Sequence, residues 1–206
     1  YENDRSFSLE HIRQEYEVFV TTDYRQRAVE VRQENGSRIS DFCYKGHVIM
    51  DGKPVLPGLP ATYTEADEEA KTLTVMLEDG VTGVQVELYY TIFARGGVLA
   101  RSVRISNGGA QAVRLSRAMS LCLDLPDREY VWQQLSGCWA RECHIRTRNL
   151  EPGITAIGSM RGNSSHEHNP FVVLRRPNAD ERQGGGYRHF SCLQRQFQTA
   201  GGSGCA

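Results

Sequence analysis

The chain has 206 residues and carries 24 Lys plus Arg against 25 Asp plus Glu, a formal charge of −1 with both signs scattered along its length. That leaves no basic stripe for nucleic acid or for an anionic membrane surface, so neither is an expected partner. With 39% hydrophobic residues, a mean hydropathy of −0.48 and no apolar run near the ~20 residues of a membrane-spanning helix, it reads as one soluble domain.

It opens on Tyr1 with no initiator Met, basic n-region or apolar h-region, so no secretory leader is visible and the expectation is a chain cut short at its N-terminus. Ser8 to Tyr16 is the one stretch that suits a short helix. Strands are expected over Ala28–Val31 and Ile39–Met50, punctuated by the turn dipeptides Asn35-Gly36 and Asp51-Gly52. Asp67-Glu68-Glu69 is expected in a solvated surface loop and not as a catalytic dyad, because consecutive side chains in a strand point to opposite faces. Leu73, Val75 and Leu77 alternate with Thr72, Thr74 and Met76; after the turn Asp79-Gly-Val-Thr-Gly83, Val84, Val86, Leu88 and Tyr90 share a face, which predicts a hairpin. A third run, Val98–Ile105, and a fourth, Val113–Leu115, flank Ser106-Asn-Gly-Gly109 and continue the pattern as an antiparallel meander. Six or more short strands with hardly any helical periodicity predict an all-β fold, an antiparallel β-sandwich.

From Tyr130 the alternation weakens and aromatic, basic and histidine residues crowd together, a texture of loops that carry chemistry or of segments that brace the sandwich. None of the six cysteines forms a C-x-x-C pair, which points to a reducing, cytoplasmic setting. Cys138, Cys143 and His144 are the closest group, but their spacing suits no common zinc site; ordinary small residues near a loop are the favoured reading, and no metal or cofactor is expected. The domain reading is 1–183 for the sandwich and 184–206 for a Gly-rich tail, since all 25 acids lie upstream of Gly184. A flexible linker is the ordinary explanation of that tail.

Specific strings go further than periodicity. Ile39-Ser-Asp-Phe42, Tyr44-Lys-Gly-His47, Gly58-Leu-Pro-Ala-Thr-Tyr63, Leu123-Asp-Leu-Pro126, Trp139-Ala-Arg-Glu142, Ser164-Ser-His166 and His168-Asn-Pro-Phe171 together resemble the N-terminal domain of bacterial α-galactosidases of glycoside hydrolase family 36, over about residues 4–183. The resemblance implies a β-sandwich that precedes a (β/α)8 barrel, in enzymes that hydrolyse α-1,6-linked galactose in melibiose, raffinose and stachyose with retention. Retention requires two carboxyl groups about 5–5.5 Å apart. In the family both are barrel aspartates, the nucleophile in a Lys-Trp-Asp string; here Gln133 follows Trp132 and Ala140 follows Trp139, so no catalytic residue is expected in this chain.

What the resemblance carries over is narrower. Trp139 matches a tryptophan that walls the substrate site in tetrameric members, across a subunit boundary, and an indole face suits the C–H face of a pyranose. The alternative is a Trp that closes the sandwich edge. Arg141 is the second candidate for substrate binding, as a fork onto sugar oxygens, against an ion pair with Glu142 or another acid. His166 and His168 would share a face if extended, as metal ligands do, but a structural turn is the favoured reading. The expected partners are therefore galactosides in an intact parent enzyme, and copies of the chain in a homo-oligomer. The alternative is a free-standing carbohydrate-binding or oligomerisation sandwich. The tail is also compatible with a frameshift: read one base later, Leu193-Gln-Arg-Gln-Phe197 can encode the Tyr-Ser-Gly-Asn-Phe that family members carry near this point, and Gly201-Gly-Ser-Gly204 can encode Val-Glu-Val-Asp.

Overall fold

The computed structural model describes residues 13–19, 26–56, 61–125, 129–161, 167–180, 182–190 and 197–203. The chain packs as two compact units, Tyr1–Leu56 with Thr62–Leu125, and Pro57–Ala61 with Pro126–Ala206. All strand pairs are antiparallel, and there is no α-helix among the described residues.

In the first unit the predicted strands appear as β1 (Val29–Arg32), β2 (Phe42–Asp51), β3 (Ala70–Asp79), β4 (Val84–Phe93), β5 (Leu99–Asn107) and β6 (Arg114–Ala118). Strands β2 to β5 form a meander in sequence order. Its register sets Leu73, Val75 and Leu77 opposite Tyr90, Leu88 and Val86, so the two alternating runs share one apolar face. The turn between them is locked by Asp79, a fully buried residue whose carboxylate accepts from the Val81 amide at 3.1 Å and the Thr82 hydroxyl at 2.6 Å. Gly83, at φ +72°, lies so close to Gly109 that a Cβ would sit 2.9 Å from its Cα, which seats the 79–83 turn against the 106–109 turn.

The fourth predicted run departs from expectation. β6 does not extend the meander; it pairs with β1. The pair supplies Val29 and Val31 to a core with Val84, Val86, Leu88, Ala28 and Tyr16. A strand added at the edge of β5 would have left that face wet, whereas a second layer buries it, each Val or Leu contributing about 1.5–3 kcal/mol. The short helix expected over Ser8–Tyr16 falls partly outside the described residues, and Arg13–Tyr16 is not helical. Asp67–Glu69 forms a single exposed 3-10 turn.

The second unit holds β7 (Val131–Cys138), β8 (Arg141–Asn149), β9 (Gly153–Ser159), β10 (His168–Arg175), β11 (Gly186–Phe190) and β12 (Phe197–Ser203). One sheet runs β11-β10-β7-β8; β12 and β9 form a two-stranded sheet. Trp132, Ile157 and Val172 make its core, with Leu150 and Leu174 against them. Strands β7 and β8 occupy the segment whose alternation is weak. The reason is plain in β8: it is an edge strand exposed at all nine positions, so no face of it has to be apolar. The Gly-rich tail is also in part strand: Gly186–Phe190 pairs with β10, and Phe197–Ser203 pairs residue for residue with Ser159–Gly153. Ladder bonds come from the backbone and need no side chain.

Candidate functional site

The β7–β8 hairpin carries both candidate residues. Cys138 and Arg141 are register partners, which leaves Trp139-Ala140 as a two-residue turn. Two-residue hairpin turns that match strand twist need positive φ at the first central residue. Here only the second has it: Ala140 is at φ +62°. That left-handed conformation costs a residue with a Cβ about 1 kcal/mol. It is held by a hydrogen bond from the Ala140 amide to Glu142 Oε1 at 2.7 Å. Three residues later Cys143 is also left-handed, at φ +52°, where Glu142 and Cys143 together oppose the single residue Gly137 in a bulge.

Gly137 explains why the bulge closes. A Cβ there would lie 1.9 Å from the Arg141 carbonyl oxygen, so only glycine lets the β8 backbone approach. Ser136 and Gly137 both belong to β7, and Gly137 is clamped on both sides. Its amide donates to the Glu167 carbonyl at 3.0 Å. Glu167 in turn meets Arg161 at 2.6 Å in an ion pair. Neither contact had a signal in the sequence, because each depends on which segments the fold brings together.

Trp139 stands at the hairpin tip with 84% of its surface exposed, outside both hydrophobic cores. Arg141 is exposed beside it, and among the described residues none forms an ion pair with it. Glu142, one acid weighed as its ion-pair partner, caps the turn amide of Ala140. Behind the tip, Trp132 is the buried counterpart: its indole N–H donates to Gln134 Oε1 at 2.8 Å, and Arg148 donates to the same oxygen at 2.9 Å. His144 and His168 flank Ser136 on either side in the register, both exposed; His166 lies outside the described residues. No group of three His, Cys, Asp or Glu in a metal-holding arrangement occurs among the described residues. Among the described residues, Cys43, Cys122, Cys138 and Cys143 form no disulfide.

The first unit offers a cleft of about 480 Å³ over the meander, lined by Glu15, Tyr16, Phe42, Leu73, Val75 and Tyr90 among others. Its chemistry is structural. Glu15 accepts from the Tyr90 hydroxyl and pairs with Arg101 at 3.6 Å, and the Arg101 guanidinium lies 4.0 Å from the Tyr90 ring centroid.

Comparison with known proteins agrees with this architecture. The glycosyl hydrolase family 36 N-terminal domain matches residues 1–188. Alpha-galactosidase AgaA of Geobacillus stearothermophilus is 46% identical over 182 residues, 88% of this chain and 25% of the relative. The crystal structure of alpha-galactosidase AgaB from the same organism superposes with a TM-score of 0.95 at 42% identity, over 98% of this chain and 28% of that one. An AgaA variant crystallised in complex with raffinose gives 0.93 at 44% identity, over 96% and 27%. The chain thus spans about a quarter of the length of the relatives it matches. An all-β chain with antiparallel sheets, matched over residues 1–188 by the family's N-terminal domain, belongs to glycosyl hydrolase family 36 as that domain.

Proposed function

We propose that this domain works inside a longer α-galactosidase polypeptide, where it contributes Trp139 and Arg141 to the rim of a galactoside site and supplies no catalytic carboxylate. The observation that carries the reading is the exposure of Trp139 at the tip of a hairpin whose left-handed Ala140 and close-packed Gly137 leave the indole no place in the core. Backbone strain of this kind persists where the surroundings over-determine it, and it clusters at ligand sites. A broad indole face beside a guanidinium that has no ion pair among the described residues suits a pyranose: the ring stacks on the C–H face and the fork reaches hydroxyls. The relatives support the substrate class, since an AgaA variant binds raffinose in the crystal. The site is completed by the barrel, and in an oligomer by a neighbouring copy's barrel.

The test is a chimera in which this chain replaces the matching quarter of AgaA. The chimera is expected to release galactose from raffinose, and the 206-residue chain alone to release none. Trp139→Ala in the chimera is expected to lower kcat/KM by roughly ten- to hundredfold, the equivalent of about 1–3 kcal/mol of stacking and water exclusion. An unchanged kcat/KM would end the proposal. Raffinose binding by the isolated chain, lost with Trp139→Ala, would instead favour a free-standing carbohydrate-binding module.

A further inference from the structure

The Trp139 hairpin is tied at its base by contacts that serve no core. Gly137 lies two residues before the tip, and its amide is held by the backbone carbonyl of Glu167. The ladder between β7 and β10 is irregular here: His168 pairs with Ser136, the next registered pair is Val172 with Gln134, and the register shifts between them. The Gly137–Glu167 bond is therefore the last backbone tie on the β10 side before the turn. The Glu167 carboxylate is fixed in turn by Arg161 at 2.6 Å. On the β8 side, the Arg141 carbonyl fills the space a Cβ of Gly137 would occupy. The Ala140 amide, bonded to Glu142, sets the handedness of the turn itself.

We infer that the Arg161–Glu167 ion pair and Gly137 are positioning residues for Trp139, fixing the direction in which the hairpin presents its indole. The inference rests on the reading of Trp139 as a substrate-facing residue for its purpose, but not for its geometry. An ion pair whose arginine stands in solvent adds little to global stability, so the pair's conspicuous effect is local. A tip anchored on one strand only would let the indole sample many directions, and each would have to be frozen again on binding a sugar, at a cost in affinity. The anchor at Glu167 removes that freedom in advance.

The chain has two tryptophans, Trp132 buried and Trp139 exposed, so the W139F variant supplies the Trp132 baseline for a difference measurement. Fluorescence anisotropy of Trp139 is obtained as the full chain minus that baseline. E167Q and R161M, each with its own W139F control, are expected to lower the Trp139 anisotropy by about half while Tm moves by no more than about 2 °C. The charge-reversed pair R161E/E167R is expected to restore it. An anisotropy in E167Q and R161M equal to that of the parent would overturn the inference. So would a loss that the reversed pair fails to repair, since the ion pair would then not be the cause. These readouts contain no galactoside, so they succeed or fail independently of the Trp139→Ala kinetics in the chimera.

Discussion

Trp132 and Arg148 face each other across β7 and β8 and share one acceptor, the side-chain carbonyl of Gln134, at 2.8 and 2.9 Å. Trp132 is 1% exposed and has its indole N–H satisfied only through this side chain, while the Arg148 guanidinium sits 5.8 Å from the ring centroid. Gln134→Leu is expected to destabilise the second unit by about 1–3 kcal/mol, because it leaves a buried donor unpaired. Denaturant unfolding followed by Trp132 emission reads this loss. Thr147→Val, which removes only the exposed bond from Gln133, serves as the reference and is expected to cost under about 0.5 kcal/mol.

In the first unit, Thr72 and Thr91 exchange a hydroxyl hydrogen bond at 2.8 Å, and the Thr72 hydroxyl also reaches the Gly52 carbonyl at 2.7 Å, all buried. Thr72→Val keeps the shape and the β-branch but strands the Thr91 hydroxyl and the carbonyl. A loss of about 1–3 kcal/mol is expected in a thermal or denaturant melt. The double variant Thr72→Val/Thr91→Val is expected to recover part of it, since the two hydroxyls then vanish together.

Tyr16 gives a pH dependence with a definite sign. Burial pushes its phenol up to about 12, against the nearby Arg101 charge that lowers it, and its hydroxyl donates to the Met119 carbonyl at 2.9 Å. A group whose folded pKa is raised contributes fully below its unfolded pKa near 10 and loses that contribution as pH climbs through 12. Stability is therefore expected to fall between pH 10 and 12, by up to about 2 kcal/mol from this residue. Tyr90 is raised as well, first by burial, so Tyr16→Phe should flatten the alkaline limb without abolishing it.

Thiol chemistry separates the cysteines. Burial, followed by its hydrogen bond to the Glu17 carboxylate, holds the Cys122 thiol protonated far above the ordinary range, whereas Cys43 and Cys143 are exposed. Peptide mapping after brief alkylation at pH 8 is expected to find Cys43 and Cys143 labelled at least tenfold faster than Cys122, with the difference lost in denaturant.

The tail carries a genetic prediction. The family match ends at residue 188, and beyond it Phe197–Ser203 pairs with β9. If the coding frame changes near Gly184, resequencing will show an adjacent frame that continues with Tyr-Ser-Gly-Asn-Phe and Val-Glu-Val-Asp. A gene whose other frames contain no such continuation would dispose of the frameshift.

Much of the first unit is legible in residues 28–107 because strand period, turn dipeptides and one-sided burial all act locally: Leu73, Val75 and Leu77 must share a face with Val86, Leu88 and Tyr90 once Asp79–Gly83 reverses the chain. The pairing of β6 with β1 is not legible, since which edge or layer a strand joins depends on which apolar face is still uncovered, a property of the assembled meander. Strand β8 hides for the opposite reason. An edge exposed on both faces places no demand on hydrophobic alternation, so its sequence looks like loop. At the candidate site, Trp139 and Arg141 stand out by residue type and by resemblance. Only the tertiary structure places Gly137 under the Arg141 carbonyl and joins Glu167 to both Gly137 and Arg161, because those contacts are set by how closely two backbones approach.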